Sequence, residues 1–520
     1  MMRSLYAGVS GIKVHQTRMD VIGNNIANIN TVGFKSSRTT FADVLSQTQV
    51  GASAPSDNRG GISPRQIGLG VAVASIDLLT ADGSPQSTGK NTDVALSGNA
   101  LFVLQDGGQT VYTRDGAFEF DAEGNYVLPG SGYKVQGWNG IDGVITTNAL
   151  TEDINVRAGK TMPANATTNI DYSGNLNSVD PIITSISYIP RGNSATTIND
   201  QSANKGVYID GNTNIMATLT LSDGTTRRVT SGYYEVGYSI PVTTVANVYD
   251  AEGGTHSVTL LLDRKKDATD NEWRMYLSPT GKNADGTDMS ATDIAAINAP
   301  PQSVVVDNLG TTVTIPANTT GSTDTNGLYC KSIYFNSDGS LKTVDSGTTT
   351  NTNVTEAATT TLDFVATNSI GATTPQQVTV NFSGLTQYAG NTSAFPTTDG
   401  NAYGILQSIT IDSSGVIKGS YTNGVIQDEA QIAVAQFVNF SGLTKLGTST
   451  YLESNNSGQA NIKTVDALGV TITPSALEMS NVDLANEFAD MIVTQRGFQS
   501  NSKIMTVGDE MLETIINMKR

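Results

Sequence analysis

Cysteine occurs once in this sequence, at Cys330, so the chain cannot close an internal disulfide. A lone thiol of this kind reads as a small buried hydrophobe or an idle thiol, with a covalent cross-link as the lesser alternative. Histidine is nearly absent too, with only His15 and His256. Neither has a cysteine nearby, so a zinc site is not expected, and no Ser-His-Asp or Cys-His set stands out. The acid-rich stretch 263–270 lacks the spaced loop and bidentate glutamate of a calcium hand and reads as a solvated turn. Carboxylates are plentiful enough for a glycosidase pair, but nothing in the sequence places two face to face. No catalytic, cofactor-binding or metal-binding residue is assigned, and the chain is expected not to be an enzyme.

Charge is also scarce. Only 15% of residues are charged, with a net charge of −18. A generic nucleic-acid binder would be basic, so that class loses its footing. No uncharged apolar run reaches the length of a membrane span, and membrane insertion is not expected. The opening MMRSLYAGVSGIKVHQTRMD has neither an apolar core nor a small-residue cleavage site. It does not read as a Sec signal, so export would take another route.

What is abundant is glycine, with 52 residues, together with Thr, Ser and Asn in a chain of 520. That length points to two to four domains, and that surface chemistry suits a secreted β-rich protein. The two ends differ from the rest. Leu5, Val9, Ile12, Gln16, Met19, Gly23 and Ile26 recur at alternating spacings of four and three, a heptad seam with two weak members. The pattern dies in a run of Asn24, Asn25, Asn28 and Asn30 followed by Thr31, Val32, Gly33, Phe34 and Lys35, residues that favour turns and helix ends. Near the other terminus Leu484, Phe488, Met491, Gln495, Phe498, Ser502, Met505, Asp509, Leu512 and Ile516 keep the same spacing. A second stripe of Ile504, Met511, Ile515 and Met518 widens it, and Ser480 or Asn481 is the expected cap. Residues 1–35 carry +3 and residues 479–520 carry −2, which favours their association.

Between the ends the period changes to two. Short apolar strands are punctuated by Asp106-Gly107, Asp115-Gly116, Asp142-Gly143, Asp338-Gly339 and Asn423-Gly424, as in antiparallel hairpins. The expected fold is mainly β with long α-helical N- and C-terminal segments. It is nested and multidomain, with coiled-coil-like terminal helices and antiparallel β sandwich or barrel domains. Residues 1–30 and 480–520 should pair as an inner-core assembly domain, with 31–75 and 460–479 as a connector. Residues 76–155 and 362–459 should form an inner β domain, and 156–361 the outer inserted β domains, with 182–234 as an extra insertion.

The stretch from Ser10-Gly11 to Gln16, then Asn24 to Lys35, resembles the N-terminal signature of flagellar rod and hook axial proteins. Leu477 to Leu484, Met491 to Arg496 and Asp509 to Leu512 resemble the matching C-terminal signature. The middle looks like the hook branch. Asn381 to Tyr388, Gly415 to Ile417, Tyr421 to Gly424, Ala435 to Phe437 and Gly442-Leu443 resemble its inner stretches. Val248 to Gly253, then Trp273, resembles a strand pair of its outer domain.

The resemblance implies a structural subunit that self-assembles into a hollow, flexible helical tube, a universal joint carrying motor torque to the filament. It implies export unfolded through the flagellar type III apparatus and assembly outside the cell beneath a hook cap, between rod and hook–filament junction proteins. The residues it marks for assembly are Leu5, Val9, Ile12, Met19, Ile26, Asn24, Asn25, Asn28, Thr31, Gly33 and Phe34 in the N-terminal helix and motif. In the C-terminal helix they are Leu484, Phe488, Met491, Gln495, Arg496, Phe498, Met505, Leu512 and Ile516. The alternatives are an enlarged distal rod-type protein, which would be straight and rigid, and a secreted β-rich adhesin, which would not need paired terminal helices. In a free subunit the two apolar stripes should mainly have each other, and that pair alone offsets little of the entropy of ordering some 70 residues at about 1–2 kcal/mol each. The ends should therefore order on assembly.

Overall fold

A computed structural model describes residues 2–55, 60–199, 206–209, 214–266, 271–277, 302–305, 311–315, 331–344, 358–367 and 373–518. Cys330, residues 267–270 of the acidic turn, and Lys519 and Arg520 lie outside the described residues. The chain divides into two compact units, 1–160 with 405–520, and 161–404.

In the first unit, helix α1 (Met2–Ala27) and helix α2 (Leu484–Met518) are the paired ends. The N-cap of α2 is Asp483, whose Oδ1 accepts from Ala485 N at 2.8 Å and Asn486 N at 3.3 Å, rather than Ser480 or Asn481. A carboxylate both satisfies the free amides of the first turn and complements the helix dipole. After α1 the chain runs into a two-stranded antiparallel ribbon. Ser37–Asp43 pairs with Val71–Leu78, and beyond it Ser46–Val50 pairs with Arg65–Gly68. The connector expected at 31–75 is thus mostly a β ribbon, while 460–479 is no connector at all. Its strands belong to the β body: Asn461–Lys463 pairs with Val434–Gln436, Thr471–Pro474 with Val94–Ser97, and Ala476–Glu478 with Pro85–Ser87. The body's core includes Leu101, Val103, Tyr112, Trp138, Phe437 and Tyr451.

The second unit is a sandwich. One sheet has the order Gln302–Val305, Thr312–Ile315, Thr359–Thr367, Thr373–Tyr388, Asn169–Asn177, Phe395–Thr398. The other runs Val242–Tyr249, Thr255–Arg264, Glu272–Leu277, Lys331–Phe335, Leu341–Val344. Alternation along these strands feeds Ile170, Trp273, Phe335, Phe364 and Phe382 into one core. The strand Thr373–Tyr388 pairs antiparallel with Thr359–Thr367 and parallel with Asn169–Asn177. Residues 362–404, expected in the inner β domain, therefore belong to this unit. Within it, segment 182–234 builds its own four-stranded sheet, with Ile183, Ile186, Leu219 and Val236 in a separate apolar cluster. Asp263, expected in a solvated turn, is buried and bonded twice by Arg274, whose Nη1 also reaches Glu235 at 2.7 Å.

Candidate functional site

The two helices run antiparallel, and glycines and polar side chains set their contact, with Leu5, Ile504 and Met505 packing onto the glycines. A Cβ built on Gly11 would lie 2.7 Å from the Asn501 side chain, one on Gly497 would lie 2.7 Å from the His15 ring, and one on Gly508 would lie 2.6 Å from Leu5. Thr494 is fully buried, with its hydroxyl donating to Asp490 O at 2.7 Å. Arg18 closes the seam with a 2.9 Å bond to Asp490, and Asn25 Nδ2 donates to Glu487 at 2.9 Å. Glycines at these heights let the backbones approach where larger side chains would hold them apart. The seam therefore holds only part of the apolar stripe expected to pair within a free subunit: Leu5 packs on Gly508 and Met505 on Gly8, interleaved with Gly11, Asn501, Gly497 and Thr494. The sequence pattern marked the hydrophobic faces, whereas close approach selects small residues, which hydrophobic periodicity does not register.

Of the expected assembly residues, Leu5 and Met505 pack onto seam glycines, and the others differ in how far they are covered. Leu5, Val9, Ile12, Met19 and Ile26 are half-buried on α1. On α2, Met491, Phe498, Met505 and Leu512 are half-buried, while Gln495 and Arg496 are exposed. Leu484, Phe488 and Ile516 are exposed at 39%, 50% and 66%, and Ile492, Val493, Ile504, Met511, Ile515 and Met518 stand exposed around them. Exposed apolar side chains thus recur along α2 among exposed polar ones such as Arg496, Lys503 and Glu510, and clustered exposed apolar side chains are candidates for contact with a partner.

The Asn-rich motif is a structural turn. Asn25 is buried and fully satisfied: besides Glu487, its Nδ2 donates to Ser37 O at 2.8 Å and its Oδ1 accepts from Ser37 N at 3.0 Å. Asn24 is exposed, and its carbonyl and side chain accept from Asn28 Nδ2, whose Oδ1 accepts from the Thr31 hydroxyl. Gly33 has φ +66°, and a Cβ there would come within 2.7 Å of the Arg114 and Asp115 backbone. Phe34 lies half-buried with Lys445 Nζ over its ring at 5.1 Å.

Immediately beyond this turn is a buried ionic hub. Lys35 Nζ donates to Glu478 Oε1 at 2.7 Å and to Ala81 O at 2.9 Å. Arg114 Nε donates to the other Glu478 oxygen, and its remaining nitrogens reach Asp82 at 2.8 Å and the carbonyls of Leu96, Gly98 and Ala100 at 2.6 Å. Gly83 N completes Glu478 at 2.7 Å. Burial, reinforced by the Arg114 charge, lowers the Lys35 pKa, against the pull of Glu478. The hub ties the segment after α1 to the segment before α2 and to the body. Sequence reasoning missed Asp82, Arg114 and Glu478. Each lies in a different stretch of the chain, and no spacing in the sequence links them.

Comparison with known families places the matches where these features lie. The model described as flagella basal body rod protein matches residues 5–35, and the flagellar basal body rod FlgEFG protein C-terminal model matches 473–518. The flagellar hook protein FlgE/F/G D1 domain matches 95–177, and the flagellar basal body protein FlaE D2 domain matches 239–403. Over its full length the chain is 35% identical to the flagellar hook protein FlgE of Treponema pallidum and 34% identical to that of Borreliella burgdorferi, covering 100% of each. It is 29% identical to the Salmonella typhimurium protein of the same name, over 99% of this chain and 100% of the other.

Proposed function

The chain belongs to the flagellar hook protein family and is a structural subunit of the bacterial flagellar hook, and on that premise we propose how its ends build the polymer. The observation that carries the reading is the exposed apolar surface beside the seam of α1 and α2. The glycine-rich seam fixes how the two helices lie, and the apolar faces are left for neighbouring copies. Each fully buried Leu, Ile, Phe or Met contributes roughly 1.5–3 kcal/mol. Several such side chains on each copy make the helical pair cohesive only when copies stack around a central pore. Because a contact repeated head to tail does not close, it propagates as a helix.

In this reading the pair is marginal alone and orders fully on assembly, which keeps exported subunits from sticking prematurely. The Thr-, Ser- and Asn-rich outer unit supplies wet contacts that slide at small cost, so the tube bends. The subunit carries no catalysis. It passes through the flagellar type III export apparatus, assembles outside the cell under a hook cap, and joins rod below to hook–filament junction proteins above.

The test is electron microscopy of polymer grown from purified chain, with limited proteolysis of the monomer alongside. Curved tubes, and terminal segments cut in the monomer but resistant in the tube, support the reading. Straight rods, or no polymer at any concentration, contradict it.

A further inference from the structure

Beside the Asn-rich turn lies a cleft of about 240 Å³, walled by Asn24, Asn28, Thr31 and Phe34 on one side and by the hairpin of Thr444–Gly447 and Thr450–Leu452 on the other. The hairpin apex is unusual. Gly447, Thr448 and Ser449 have φ of +109°, +48° and +56° in succession. Threonine rarely adopts that region, because its branched Cβ crowds the backbone. The apex is held there from below: Thr113 Oγ1 donates to Ser449 O at 2.9 Å and Thr450 Oγ1 to Gly447 O at 2.7 Å. Such strain, fixed by its surroundings, accompanies sites that must keep one shape.

Lys445 lines this cleft. Its ammonium lies over Phe34, with only long contacts to Lys35 O at 3.4 Å and Ser37 Oγ at 3.5 Å. Among the described residues no carboxylate pairs with it, in a chain of net charge −18. Neighbouring atoms desolvate the ammonium enough to lower its pKa. A partly desolvated cation beside amide and hydroxyl groups suits one carboxylate.

The opposite end of the helix pair holds such groups. Leu5 meets Gly508 and α1 begins at Met2, so the last turns of α2 project past the start of α1. That overhang exposes Met511, Ile515, Ile516 and Met518. Glu510 at its base and Glu513 within it are both exposed, and neither forms an ion pair among the described residues. We propose that the Lys445 cleft is a carboxylate-binding socket for the α2 overhang of a second copy, which it engages through Glu510 or Glu513. Head-to-tail stacking of helix pairs brings the overhang of one copy to the turn end of the next. The charges are complementary, and the overhang has no cover from its own chain. This rests on the self-assembly reading above and names the contact that sets its axial register.

The test measures the critical concentration for polymerisation of the full-length chain and of three variants, with circular dichroism confirming that each monomer folds. Lys445→Glu should raise the critical concentration roughly tenfold or more, from loss of a charge-assisted bond and gain of repulsion. The double variant Glu510→Lys/Glu513→Lys should do the same, and combining all three changes should restore assembly toward the parent value. Parent chain that polymerises while Lys445→Glu polymerises equally well overturns the socket but leaves the assembly reading standing. Impaired Lys445→Glu that the reversed overhang does not rescue also overturns it. Failure of the parent chain to polymerise removes the reading on which the socket depends, and the socket with it.

Discussion

Lys35 and Glu478 lie 443 positions apart in the chain and meet as a 2.7 Å ion pair, both almost wholly buried. The pair sits where the chain leaves α1 and where it enters α2, so it fixes both termini to one point of the β body. Arg114 and Asp82 extend it into a network of two cations and two anions. Removing a single member strands the opposite charge in a buried place. Glu478→Gln or Lys35→Met should therefore destabilise the first unit by about 3–5 kcal/mol. Denaturant unfolding of the monomer measures this. A loss below about 1 kcal/mol would mean that water reaches the hub freely.

His15 gives the helix seam a pH dependence. Burial, with a further push from the Arg18 charge, lowers its pKa from the ordinary 6.5. Its Nδ1 is buried without a hydrogen-bond partner, and its ring packs against Gly497 and edge-on to Phe41. The folded seam thus binds a proton less readily than the unfolded chain. Its contribution is whole above pH 6.5 and is lost as pH falls from there through the depressed value. Far-UV circular dichroism of the monomer should show helix content falling over that window. His15→Gln should flatten the slope between pH 7 and pH 5. An unchanged slope in that variant would place the titrating group elsewhere.

Two substitutions separate the seam from the outer faces. Gly11→Leu drives a side chain into Asn501 and should lower monomer helix content as well as assembly. Met491→Asp lies on the half-buried flank and should leave the body's unfolding midpoint within about 0.5 kcal/mol. It should nevertheless abolish polymer, because a carboxylate buried between copies has no partner there. Sedimentation of assembly mixtures and denaturant melts read both effects. Normal polymer from Met491→Asp would count heavily against the account.

The division of the fold into helical ends and a β middle was legible because periodicity of 3.5 and of two each reports a solvent-facing pattern. Short strands between turns were also visible, but not which unit a strand such as Thr373–Tyr388 joins, since that depends on the partner Asn169–Asn177 far away in sequence. The Asn25 turn was legible as a turn and not as a hydrogen-bonded hinge to Ser37 and Glu487. The hub was hidden for the same reason. Glu478, Arg114 and Asp82 look like ordinary surface charges until the fold brings them together. The α1–α2 seam was only partly legible: Leu5 and Met505 belong to the expected stripe, but Gly11, Gly497 and Gly508 pack by absence of side chain, a feature that hydrophobicity does not weigh.

In the polymer the apolar faces outside the seam should be covered by other copies. Ile492, 59% exposed on α2, is a direct reporter. In a Cys330→Ser background, the rate of maleimide reaction at Ile492→Cys compares monomer with polymer. Labelling should be fast in the monomer and protected at least about tenfold in the polymer, equivalent to burial worth roughly 1.4 kcal/mol. Equal rates in the two states would contradict it.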